Sequence, residues 1–239
     1  MLNFDVLKKR HRNERGQYSQ ALSTRVHRAL SWLKKAESCD DDDSKFTFLW
    51  IAFNSAYAQE FEQKASYGER GLYQEFLTRL VDLDSENLLS NIVWNNYSGA
   101  IRAVLDNEFI LESYWQFHSG RITEDQWKDA QSKAKITANT ALGHNNTALV
   151  LAVVFSRLYT LRNQIIHGGA TFGSSANRKQ LRDCTVLLEK ILPVIIKIMM
   201  DSSNELLHIS EHSEQSFRDY PITYFGLNRS LIPRLSDHF

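Results

Sequence analysis

The 239-residue sequence has few of the residues that interrupt regular structure. It contains ten glycines and three prolines, and Pro193, Pro221 and Pro233 all fall in the last fifth of the chain. Long uninterrupted helices are therefore expected. Only Cys39, beside an acidic loop, and Cys184, inside an apolar segment, are present, which excludes a disulfide framework and a zinc ligand set and makes a reducing, cytoplasmic setting the default. Net charge is absent, with 28 Lys and Arg against 28 Asp and Glu. No overall field draws nucleic acid, and only a local basic patch is left for that role. The longest uncharged apolar run, residues 148–155, is far too short to span a bilayer, and no apolar stretch follows Lys8-Lys9-Arg10, so neither a membrane segment nor a secretory signal is expected. No phosphate loop ending in Lys-Ser/Thr, His-Glu-x-x-His, Gly-x-Ser-x-Gly, Cys-x-x-Cys, internal repeat or low-complexity segment occurs. No cofactor or metal is called for.

What is present is helical periodicity. Ala21, Val26, Ala29, Leu30 and Leu33 mark a helix over residues 17–37, stopped by Asp40-Asp41-Asp42-Asp43. These aspartates are read as a solvated connector that caps the next helix, with a metal-binding loop as the sharper alternative. Residues 45–63 are apolar nearly all round and should form a central buried helix. Amphipathic stretches at 72–83, 86–95 and 100–118 follow. Thr123 and Gln126 make a capping box that opens a helix to about residue 142. The segment 147–167 ends in Gly168-Gly169, and Ser175 is placed to cap a last helix running to residue 200, with Pro193 as a kink. A short strand pattern at 220–225 lies in an apolar tail. The class expected is all-α.

The chemistry concentrates where the 147–167 helix ends, at Arg162-Asn163-Gln164-Ile165-Ile166-His167-Gly168-Gly169. At about 100° per residue, Arg162 shares the apolar stripe of Phe155, Leu158, Tyr159 and Ile166, whereas Ser156, Asn163 and His167 form a second, polar stripe about 140° away. A guanidinium on an apolar face must be paired or line a cavity. Two readings follow: a phosphate-holding Arg beside a proton-transferring His, or an Arg paired with a core carboxylate and a His that merely caps the helix. Asn54, in the middle of the apolar helix, needs partners inside the bundle, either Arg162 and Asn163 or backbone groups.

Arg162-Asn163-x-x-x-His167 resembles the motif of the HEPN domain family. Together with Phe48-Leu49-Trp50-Ile51-Ala52-Phe53-Asn54-Ser55-Ala56-Tyr57 it is similar to the Apea-like branch of that family. The resemblance covers the two motif helices and the last helix and implies an antiparallel helical bundle; residues 1–202 are read as that domain, with 71–142 as an inserted helical layer and 203–239 as a tail packed on the body or a partner, and the resemblance accounts for neither 71–120 nor the tail. It also implies a homodimer that sets two Arg/His pairs beside one cleft, and a metal-independent endoribonuclease acting within a toxin or phage-defence system, with an antitoxin or defence protein as partner. Catalytic roles would fall to Arg162, His167 and Asn163, with Asn54 in support. Some members of the family are catalytically silent modules that bind RNA, nucleotide or protein, and this is the alternative expectation. Where a toxin branch carries a modifiable tyrosine two residues after the His, this chain has Gly169.

Two basic clusters are available to guide RNA: Lys8-Lys9-Arg10-His11-Arg12 with Arg15, which is otherwise a solvated face or a mobile arm, and Arg178, Lys179 and Arg182, close to the motif loop. The tryptophans, Trp32, Trp50, Trp94, Trp115 and Trp127, are expected in the core. Val153, Val154, Ile195, Ile196, Met199 and Met200 look surplus to one bundle and are expected to offer a dimer surface.

Overall fold

The computed structural model describes residues 2–57, 69–173 and 178–203, the side chains of 69–72 excepted. These residues form ten α-helices and no strand, so the chain is all-α. The apolar tail, its strand pattern at 220–225 and the expected cap at Ser175 lie outside the described residues.

The N-terminal basic run is a helix, α1 (Phe4–Glu14), and not a mobile arm. Asn3 caps it by accepting the Val6 N–H at 3.1 Å, and Leu7 and His11 are buried. α2 (Gln20–Glu37) starts three residues later than its periodicity suggested, because Ser19 takes the cap position and accepts the Leu22 N–H at 3.1 Å. Its buried stripe is Leu22, Val26, Ala29, Leu30, Leu33 and Ala36. α3 (Asp42–Tyr57) opens where Asp41 accepts the Ser44 N–H at 2.7 Å. The carboxylate therefore caps the helix, as the charge pattern suggested.

α3 is covered by α2, α10, α4 and α9. Phe53 and Tyr57 meet Tyr73 and Phe76 of α4 (Glu69–Leu83), Trp50 meets Tyr159 of α9 (Thr147–Ile166), and Phe53 meets Phe155 of α9 with centroids 4.4 Å apart. Each buried ring contributes about 1.5–3 kcal/mol by leaving water.

The region between α4 and α9 is more broken than its periodicity suggested. Asp84, buried, ends α4 and accepts the N–H groups of Leu88 (2.9 Å) and Leu89 (2.7 Å), which starts the short α5 (Leu88–Asn91). A wide helical turn follows over Ile92–Asn96. Residues 100–118 are split at Asn107, which is extended and accepts the Phe109 N–H at 2.9 Å. The products are α6 (Ser98–Asp106), a tight turn at Glu108–Ile110 and α7 (Glu112–His118). A side-chain-to-backbone bond of this kind competes with the helix ladder, which apolar spacing does not register. α8 (Glu124–Gly143) does open with the Thr123/Gln126 capping box. α10 (Arg178–Asp201) runs through Pro193 without ending.

Two further expectations are corrected. Val154, Ile195, Ile196, Met199 and Met200 are buried within the chain and Val153 is half-buried, so they are core and not a spare dimer surface. Trp32 lies at the surface, stacked on Phe48 at 5.7 Å, whereas Trp50 is fully buried and Trp94, Trp115 and Trp127 are half-buried. α9 is long and apolar enough to cross a membrane by length and composition, and is the one such helix among the described residues. It carries Arg157 and Arg162 and packs against α3, α4, α6 and α8, in the manner of a core helix.

α9 ends as its glycines suggested. His167 is the C-cap residue, its N–H bonded to the Asn163 carbonyl, and Gly168 follows at φ +72°. A Cβ at Gly168 would meet nothing within 4 Å, so the only penalty of a side chain there is left-handed backbone. Gly168→Ala should destabilise the fold by about 1 kcal/mol and Gly168→Asn by less, as measured by urea denaturation.

Candidate functional site

The residues singled out at the end of α9 come together in part. Arg162 is half-buried. Its Nη1 donates to Asn163 Oδ1 at 2.8 Å, and its guanidinium carbon lies 5.7 Å from the centre of the Tyr159 ring. Its Nε is buried without a hydrogen-bond partner. No carboxylate pairs with Arg162 among the described residues. Tyr159 in turn packs edge-on against Trp50 of α3, with centroids 6.1 Å apart. The aromatic wall thus sets the height of the guanidinium above the core.

His167 is exposed at the helix end, one turn beyond Asn163. On its flanks Ile166 and Phe172 are exposed apolar residues, at 47% and 72%. The stripe that carries Arg162 therefore emerges from the core before the helix stops. Asn54 does not reach the motif. Its Oδ1 accepts the Tyr57 hydroxyl at 2.8 Å, and no hydrogen bond joins it to Arg162 or Asn163 among the described residues. Its position in α3 satisfies a core tyrosine and does not orient the arginine.

The loop after His167 is held by a residue that periodicity gave no reason to select. Asp43, only 6% exposed, receives Arg178 at both carboxylate oxygens, Nη1 to Oδ2 at 2.5 Å and Nη2 to Oδ1 at 2.9 Å. The Gly173 N–H also points to Oδ2, at 3.4 Å. One carboxylate at the start of α3 thus ties the far end of the motif loop to the start of α10. The forked, charge-assisted geometry is the strong form of this bond. The Arg178 guanidinium is held more firmly protonated by the bond to Asp43.

Arg178 consequently does not stand free for an RNA phosphate. Of the basic trio near the loop, Lys179 is exposed and Arg182 is 70% exposed, with its Nε 4.0 Å from Asp42. The metal-loop reading of the four aspartates is also set aside. Asp41 caps α3, Asp42 faces Arg182, Asp43 holds Arg178, and no group of His, Cys, Asp or Glu able to hold a metal occurs among the described residues.

The arginine that is deeply buried on α9 is Arg157, at 7% exposure. Burial alone lowers its pKa to about 10, and its Nε has no partner. The sequence carried the signal: Arg157 sits three residues after Val154 and four before Leu161, on an apolar stripe of its own. Arg25 of α2 is likewise lowered to about 10 by burial and donates from Nε to the Ala56 carbonyl at 2.8 Å, placing a cation at the carbonyl end of α3. Cys184 is fully buried and its thiol is pushed well up by desolvation, which makes it inert.

Comparison with protein-family models finds no matching family, and comparison with curated proteins and with solved structures finds no significant match to either.

The Asp43 tie can be measured apart from any activity. Asp43→Asn and Arg178→Gln should each destabilise the chain by about 1–2 kcal/mol, and the double variant by clearly less than their sum, because a partly exposed forked pair carries coupling of this order. Additive losses in a double-mutant cycle would show that the two side chains act independently.

Proposed function

We propose that the chain is a metal-independent endoribonuclease of the HEPN type, which cuts single-stranded or loop RNA to leave 2′,3′-cyclic phosphate ends. The observation that carries this reading is the end of α9: a guanidinium with no carboxylate partner among the described residues, hydrogen-bonded to Asn163, on the same helix end as the exposed imidazole of His167. In the reaction the RNA 2′-oxygen attacks the adjacent phosphorus and the bond from phosphorus to the 5′-oxygen breaks. One proton leaves the 2′-hydroxyl and one arrives on the departing 5′-oxygen. His167 transfers these protons, and Arg162 holds the charged phosphate. Asn163 fixes the rotamer of Arg162, and Lys179 and Arg182 guide the neighbouring phosphates. DNA, with no 2′-hydroxyl, is not a substrate.

One Arg and one His at a helix end make a shallow site, and a second copy across a two-fold axis deepens it. The exposed Ile166 and Phe172 beside Gly168-Gly169 favour a homodimer in which these loops face each other. The setting that fits such an activity is a cytoplasmic toxin or antiviral defence system whose ribonuclease is restrained by an antitoxin or defence partner.

The purified chain should cleave mixed single-stranded RNA in EDTA and leave DNA intact. His167→Ala should lower the rate by about 10²–10⁴-fold. Arg162→Lys should lower it steeply with the fold retained, since lysine keeps the charge but loses the fork. Intact RNA after incubation with folded wild-type protein would favour the silent binding module instead. Light scattering should give twice the 27.6 kDa chain mass, and Phe172→Glu should return it to one chain. A single-chain mass for active wild-type protein would sink the dimeric cleft.

A further inference from the structure

A second concentration of basic groups lies on the opposite side of the sequence, where α1 turns into α2. Lys8, His11 and Arg12 come from α1, Arg15 from the tight turn that follows it, and His27 from α2. Lys8 Nζ lies 3.1 Å from His27 Nδ1, so an ammonium is paired with an imidazole where a carboxylate would be the usual partner. The His11 and His27 rings are 6.3 Å apart. His11 is 2% exposed; its Nε2 is 3.2 Å from Ser23 Oγ in the first turn of α2, and its Nδ1 is buried with no hydrogen-bond partner. Arg12, Arg15 and His27 are exposed.

The carboxylate nearest in sequence is already engaged. Both Glu14 oxygens receive Arg10 Nε, at 3.0 and 2.9 Å, and the Tyr18 hydroxyl donates to Oε2 at 2.6 Å. Arg10 is held in addition by Asp201 of α10. Lys8 is left with burial and the repulsion of Arg12 and Arg15 acting on it, all disfavouring its charge. The positive end of the α2 dipole, capped at Ser19, adds to the same field. In a chain whose total charges cancel, with 28 of each sign, five basic groups gathered with no carboxylate paired to any of them among the described residues cost stability. A bound ligand of opposite charge offsets that repulsion.

We propose that α1, the turn Arg15–Gln17 and the start of α2 form a binding site for a phosphate-bearing anion, with Lys8, Arg12 and Arg15 as its cationic wall, the His27 imidazole orienting Lys8, and His11 as its buried floor. The site is separate from the end of α9 and does not depend on ribonuclease activity. Its ligand is either a small free phosphate or the phosphodiester backbone of a bound RNA, two sources of the same chemistry.

The test uses the full chain at constant ionic strength. Inorganic phosphate or tripolyphosphate, exchanged for chloride, should raise the melting temperature of the wild type. The triple variant Lys8→Gln, Arg12→Gln, Arg15→Gln should lose that response and yet melt higher than wild type in chloride, since its repulsion is relieved. Lys133→Gln, at an exposed helical ion pair, should keep the response. In the second arm, a single-stranded oligoribonucleotide is titrated by fluorescence anisotropy against proteins carrying His167→Ala to prevent cleavage. If the backbone is the ligand, the triple variant should bind at least about tenfold more weakly, with a salt dependence shallower by up to about three phosphates' worth. A phosphate response without a change in RNA binding assigns the site to a small anion. Equal phosphate responses in wild type and triple variant, or no response to either probe, overturns the proposal.

Discussion

The structure depends on the burial of α3. A helix that is apolar nearly all round cannot lie on a surface, so other helices must surround it, and α2, α4, α9 and α10 do so. That requirement fixes the two ends of α3 in different ways. Its start is pinned electrostatically, through Asp41 as cap and Asp43 as the acceptor of Arg178. Its last described turn is closed by Arg25, whose guanidinium binds the Ala56 carbonyl. The motif loop is a passenger on the first of these ends: by holding both Gly173 and Arg178, Asp43 couples the position of the loop to a helix none of whose residues is exposed. The aromatic contact from Trp50 through Tyr159 to Arg162 is a second route from the same helix to the motif.

How much of this was legible in the sequence varies with the kind of interaction. Apolar spacing located α2, α3, α9 and α10, since each buries a stripe whose period is that of the helix, whereas α8 buries only Ala138 and Ala141 and was located by its capping box. The Thr123/Gln126 box and Gly168 marked their boundaries because those residues act on backbone atoms a few positions away. The break at Asp84 showed as a gap between two amphipathic stretches, but the one at Asn107 was illegible: a polar side chain that accepts an N–H two residues on leaves no trace in an apolar pattern. Long-range polar pairing was also hidden. Asp43 and Arg178 are 135 residues apart, and nothing local distinguishes Asp43 from the three aspartates before it.

The motif itself shows both sides. Its composition and its place at a helix end were readable from residues 162–169. Which of its side chains are sheltered was not, because the apolar stripe was taken to continue to Ile166, and in the fold it surfaces there. The arginine without a counter-charge in the interior is Arg157, whose burial exceeds that of Arg162. Asn54 was drawn toward the motif by sharing a core helix with the residues beneath it, yet the nearer Tyr57 hydroxyl, one helical turn away, claims its oxygen.

The distribution of charge carries one further step. A chain with equal numbers of acids and bases could pair nearly all of them, and much of this surface does so through partners three or four residues apart, as in Lys128 with Glu124 and Lys133 with Asp129. Arg162 and the Lys8 and His27 contact are departures from that pattern, and each is held by neutral partners: an amide and an aromatic ring for Arg162, an imidazole for Lys8. Neutral partners orient a cation without cancelling it. A guanidinium or ammonium so placed keeps its full attraction for an anion from outside, whereas Arg178, forked onto Asp43, has little left to offer. Counting basic residues along the sequence therefore overstates the second cluster and understates the first, and the difference lies in where the carboxylates fall when the helices pack.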